Sequence, residues 1–101
     1  MAIDPTQSAP TGVLLDLLNE RIRQKAEEGW TDEHDDHHVH GELARAAACY
    51  AAPIPLNDDD APLTWPWDKK WWKSTSQRRN LVKAGALIIA EIERLDRAAK
   101  P

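Results

Sequence analysis

Four histidines, His34, His37, His38 and His40, stand among carboxylates in the stretch EGWTDEHDDHHVHGEL, residues 28–43. Imidazole nitrogen and carboxylate oxygen are the donors that zinc, manganese and iron accept. His34 and His38, His37 and His40, and His38 and Glu42 are three or four residues apart, which on a helix places both members of each pair on one face. Seven acids lie between Glu27 and Glu42 with no Lys or Arg among them, so the run repels itself unless a cation neutralises it. One reading supplies magnesium or manganese, with Glu28, Asp35, Asp36, His38 and Glu42 as ligands. The other makes Asp35 or Asp36 the cap of a following helix, accepting free amides where the helix dipole favours an anion, and pairs the run with cations elsewhere. No HExxH motif is present.

A second constellation, WPWDKKWWKSTSQRRNLVK (residues 65–83), carries the opposite charge: six cations against the single Asp68. Indole faces stack on bases and cations pair with phosphate. In a ligand-binding reading Trp67, Trp71 or Trp72 stack on a base, while Lys73, Arg78, Arg79 and Lys83 take phosphate. Ser74, Thr75 and Ser76 precede a helix and offer hydroxyls or a cap. In the competing reading the tryptophans fill a small core and the cations pair with the acidic run. On the first helix, Arg21, Gln24 and Glu28 are spaced i, i+3, i+7 ahead of Trp30; they either line a cleft against the last helix or stay solvated. His34, His38 and Arg21 would add polar contacts to such a cleft.

Three helices must position these groups. Leu14, Leu17, Leu18 and Ile22 recur at helical spacing, so Val13 to about Glu28 is an amphipathic helix ending at Gly29. Gly41–Ala52 is rich in alanine, with Leu43, Ala46, Ala47 and Tyr50 on one face and Pro53 and Pro55 closing it. From Ser74 or Ser76 to Ala98, the residues Leu81, Ala84, Gly85, Ile88, Ile92 and Leu95 form a continuous stripe, widened by Val82 and Ile89. At ~1.5 Å per residue this helix is ~35 Å long, more than one small domain needs, which predicts a homo-oligomer. Gly85 implies a close helix crossing. Residues 53–73 read as an ordered loop, since Trp65, Trp67, Trp71 and Trp72 make it too apolar to float free.

The chain is 101 residues, 42% hydrophobic and 30% charged, a soluble composition with room for one domain: a leader over 1–12 and an all-α domain over 13–101. A net charge of −4 argues against non-specific binding of duplex nucleic acid. Cys49 is the only cysteine and excludes an intrachain disulfide, which suits a reducing cytoplasm. No apolar run reaches the ~20 residues of a membrane span.

The segments ERIRQKAEEGWTDEHDDHHVHGELARAAACYA and RRNLVKAGALIIAEIERLD together resemble a family of small bacteriophage accessory proteins. More distantly, the layout is similar to the MazG-like all-α nucleoside triphosphate pyrophosphohydrolases: Arg21 and Gln24 on a first helix, Trp30, a GEL-containing helix and an apolar last helix. The resemblance implies magnesium held by acids at i, i+3 on two helices. Glu42 matches one of them, but His38 and Val39 precede it, and about Arg79 and Lys83 stand where the second helix needs acids. Cations cannot ligate Mg²⁺; they can bind phosphate. The expectation is an all-α, three-helix, homo-oligomeric domain that binds a nucleotide-like, phosphate-bearing ligand without turnover. In the phage setting that ligand is a defence second messenger sequestered in the cytoplasm of an infected bacterium. A metal-dependent nucleotide phosphohydrolase and a protein-interaction module are the alternatives.

Overall fold

The computed structural model describes residues 12–52 and 61–100. Four helices follow one another: α1 (Gly12–Glu27), α2 (Asp32–Asp36), α3 (Glu42–Ala51) and α4 (Gln77–Ala99), with a 3-10 turn at Lys69–Trp71. The architecture is all-α, and the described residues contain no strand. The three expected helices are α1, α3 and α4; α2 and the 3-10 turn are additional. The leader expected over 1–12 lies outside the described residues apart from Gly12, which starts α1. Pro53, Pro55 and the Asp58–Asp60 run also lie outside them.

Local chemistry explains α2. Thr31 is extended, and its hydroxyl accepts from the His34 backbone amide at 3.3 Å. Asp32, Glu33 and Asp35 fill the first turn, where the dipole favours anions. Asp35 and Asp36, expected to cap the helix that follows, instead lie inside α2, which Thr31 caps. The next helix, α3, starts from Gly41 at φ 82° with no side-chain cap, a left-handed conformation that glycine adopts without a Cβ penalty. Glu42 folds back so that its Oε1 accepts from the His40 amide at 2.6 Å. Ser76 caps α4, its Oγ accepting from the Arg79 amide at 3.2 Å.

The longest helix, α4, is the hub and packs on α3, α1 and α2. Its contact with α3 is the hydrophobic centre, where Leu43, Ala46, Ala47 and Tyr50 meet Ala84, Leu87 and Ala90. Alanines on both helices permit the close approach. Trp30 and Trp65 complete this core, Cys49 is a small buried member of it, and Trp67, Trp71 and Trp72 pack against its edge.

Amphipathicity alone would turn the leucine stripe of α1 inward. The structure does the opposite. The buried residues of α1 are Glu20, Arg21 and Gln24, whereas Leu14, Leu18 and Ile22 are at least half exposed. Leu17 alone reaches into α4: a Cβ at Gly85 would overlap the Leu17 Cδ2 methyl, which confirms the close crossing expected there. No helix among the described residues is long and apolar enough to cross a membrane.

Leu43 and Leu87 are fully buried. Truncating either to alanine is expected to lower the unfolding free energy by about 2–5 kcal/mol. Urea titration of the two variants beside the unchanged chain measures this.

Candidate functional site

The buried polar face of α1 is the frame of the site. The Glu20 side chain is completely buried, and its two oxygens receive four donors. Arg23 gives Nε to Oε1 and NH2 to Oε2, each at 2.8 Å, Gln24 gives Nε2 to Oε2 at 3.1 Å, and Arg79 gives NH2 to Oε1. Four donors fill the capacity of a carboxylate, which is the condition for burying one without a large penalty. Burial pushes the Glu20 carboxyl up, but the Arg23 hydrogen bond and the charges of Arg23 and Arg79 outweigh it and leave the carboxyl below its ordinary value of 4.5.

One residue along, Arg21 ties together everything that carries the acidic run. Its NH2 reaches Asp35 Oδ2 at 2.9 Å, its NH1 donates to the Trp30 carbonyl at 3.3 Å, and its Nε meets Glu93 on α4 at 3.1 Å. Asp32 is paired with Lys25 at 3.2 Å and Asp36 with Arg97 at 2.8 Å. The expected partnership between the acidic run and the cations of residues 65–83 is thus corrected. Asp32, Asp35 and Asp36 of α2 are neutralised by α1 and by the end of α4, and among the described residues Lys73 alone from the Trp65–Lys83 stretch pairs with the run, through Glu28. The nearer cations win because α2 packs against α4 at that end.

A cleft of about 350 Å³ opens beside this frame, lined by Glu28, Trp30, His34, Trp67, Asp68 and Trp71. That is within the range of small-molecule sites, roughly 300–1,000 Å³. Trp30 and Trp67 have ring centroids 5.2 Å apart, and the His38 ring centroid is also 5.2 Å from that of Trp67. His38 Nε2 lies 3.4 Å from His34 Nε2, and its Nδ1 lies 3.2 Å from Glu42 Oε2. The ammonium groups of Lys70 and Lys73 sit 5.5 and 5.9 Å from the Trp71 ring, close enough for cation–π attraction.

Two lining residues hold buried polar atoms without a partner, Glu28 Oε2 and Trp67 Nε1. Such an atom costs about 1–3 kcal/mol and calls for a functional explanation. Glu28 Oε1, by contrast, is saturated by Lys73 Nζ at 2.5 Å and Arg23 NH1 at 3.1 Å. Burial raises the Glu28 carboxyl, and the hydrogen bonds and charges of those two cations bring it back below 4.5. The cleft therefore offers an ionised acceptor and an indole donor among three lining tryptophans.

Of the residues expected to bind ligand, Trp30, His34, Trp67 and Trp71 line the cleft, and His38 and Lys73 stand immediately behind or beside it. Trp72 instead stacks on Tyr50, centroids 4.5 Å apart, and belongs to the core edge. Burial, the dominant effect, pushes the Tyr50 phenol up to about 12; its oxygen accepts from the Lys73 amide at 3.0 Å. The expected phosphate contacts are engaged: Arg78 with Asp16 and Arg79 with Glu20 between α1 and α4, Lys83 with the Lys73 carbonyl, and Lys73 itself with Glu28. Burial depresses the Lys83 ammonium despite the nearby Glu20 charge. Arg21 and Gln24 are buried structural groups rather than solvated ones. Glu28, Asp35, Asp36, His38 and Glu42 do not converge as a metal-ligand set, and no group of three His, Cys, Asp or Glu among the described residues does. Asp68 was not singled out from the sequence, where it read only as the one acid in a basic segment. Comparisons with protein-family models, curated proteins and solved structures return no match.

Removing the Asp35 carboxylate strands the buried Arg21 guanidinium, so Asp35→Ala is expected to cost about 3–5 kcal/mol. Arg78→Ala, which breaks an exposed pair, is expected to cost less than ~1 kcal/mol. Chemical denaturation of both variants gives the comparison.

Glu20 and Glu28 lie below 4.5 when folded, so protons favour the unfolded chain. The stability that these carboxylates supply is complete above about pH 4.5, their unfolded value, and is lost as pH falls through the folded values. Melting temperature is expected to drop across that acid range. The doubly substituted Glu20→Gln, Glu28→Gln chain should be less stable at neutral pH and show a flatter acid limb in a pH series of thermal melts.

Proposed function

We propose that the protein binds, without turning it over, a small nucleotide-like, phosphate-bearing molecule in the tryptophan cleft. The observation that carries this reading is the pairing of indole walls with an unpartnered buried acceptor, Glu28 Oε2. A planar heterocycle stacks on Trp67 or Trp71 and turns an N–H edge toward Glu28, while a ring acceptor reaches Trp67 Nε1. A carboxylate beside aromatic faces discriminates between bases, because a ring that presents only acceptors there leaves like poles opposed. Phosphate falls to Lys70 at the rim beside Trp71, since Lys73 already holds Glu28 and Arg78, Arg79 and Lys83 are engaged as well. His34 supplies a further polar contact.

Tight retention without chemistry suits sequestration, and the resemblance to phage accessory proteins makes a nucleotide second messenger of host defence the proposed ligand. The same proposal takes the protein to be self-associating, as the length of α4 implies. Calorimetry against a panel of cyclic and linear nucleotides in EDTA tests the binding. At least one is expected to bind, to quench tryptophan fluorescence and to be recovered chemically intact. Trp71→Ala and Glu28→Gln are expected to weaken it by tenfold or more. No binding anywhere in the panel removes the proposal.

A further inference from the structure

The outer side of α1 and α4 is built for a helical partner. On α4, Leu81, Gly85, Ile88, Ile92 and Leu95 are spaced 4, 3, 4 and 3 residues apart, the repeat that packs one helix against another. Four of the five are about half exposed, and the fifth, Gly85, is covered by Leu17 of α1. On α1, Val13 and Leu17 adjoin this surface. Leu17 seats in the notch at Gly85, and Val13, Leu17, Leu81 and Val82 share one groove with Arg78 in its lining.

We infer that this face is the interface between two copies of the chain, related by a two-fold axis that sets α1 and α4 of one against α1 and α4 of the other. Area argues for it. Nine Leu, Ile and Val residues of the two helices are each about half exposed. Summed over both helices they present on the order of 800 Å² of apolar surface, so a contact that covers most of them approaches the ~800 Å² per partner of a standard stable interface. The largest apolar patch on a typical monomer is only about 300–600 Å². Chemistry argues for a second copy in particular. A two-fold contact places each residue against the same patch, so any charge in it would meet its like. Those nine side chains carry no charge and no hydrogen-bonding group. Arg78, which lines the groove, is neutralised by Asp16. A second copy also brings the identical 4-3-4-3 seam.

The inference shares self-association with the proposed function but does not depend on the cleft, which neither Ile88 nor Ile92 lines. Sedimentation of the full chain from low to high micromolar concentration is expected to give twice the 11.4 kDa chain mass. Substituting Ile88→Glu and Ile92→Glu should return a monomer with the same far-ultraviolet circular dichroism. A monomer at every concentration overturns the inference, and so does a dimer that survives both substitutions. Should the substituted chain not fold, hydrogen exchange of the unaltered chain decides. Protection that rises with concentration over residues 13–22 and 81–95 supports the interface; protection that rises only over residues 65–73 overturns it.

Discussion

One helix in this protein is held in place by charge. Besides Leu17 at Gly85, α1 meets α4 through Glu20 with Arg79 and Arg21 with Glu93, and the carboxylate of Glu20 survives full burial because four donors surround it. Buried ion pairs give little net stability over apolar contacts of the same size, but each member strongly requires the others. That requirement fixes the rotation of α1 about its own axis, and much else follows from it.

With the polar face inward, Arg21 is positioned to receive α2 through Asp35 and the Trp30 turn through its carbonyl. Glu28, one residue beyond the end of α1, then arrives at the edge of the aromatic cluster with Arg23 and Lys73 on one oxygen and nothing on the other. The cleft is thus a by-product of the same ionic frame: the cations hold Glu28 ionised in a wall of indoles. The cost of the arrangement appears on the far side, where the leucines and isoleucines that could have formed the α1–α4 contact are left at the surface.

The helices were legible because periodicity, glycine and proline report local backbone preference directly. Boundaries of α1, α3 and α4 fall within a few residues of those read from the pattern, and the Gly85 crossing was visible as a glycine inside a helical stripe. Burial was less legible. Arg21, Gln24 and Glu28 were seen to share a face, yet a charged face is ordinarily the solvated one, and only complementary partners reverse that: Asp35 of α2 and Glu93 of α4 accept from Arg21, and Lys73 donates to Glu28. Asp35 and Asp36 looked like caps because acids precede a helix; distant arginines took them instead. Trp71 and Trp72, adjacent and chemically identical, divided between cleft and core according to where Tyr50 stood.

By itself the sequence determined an all-α domain, the position of its three long helices, and two charged, aromatic segments with the composition of a binding surface. The tertiary structure alone decided which way α1 faces, which cations neutralise the acid–histidine run, and which of its carboxylates is left with a free oxygen. The reason is one of range. Helix formation depends on neighbours three and four residues away, which a sequence displays. The fate of a charge depends on partners such as Asp35 for Arg21 and Lys73 for Glu28, fourteen and forty-five residues distant, and any of thirteen Lys and Arg residues could have answered each acid.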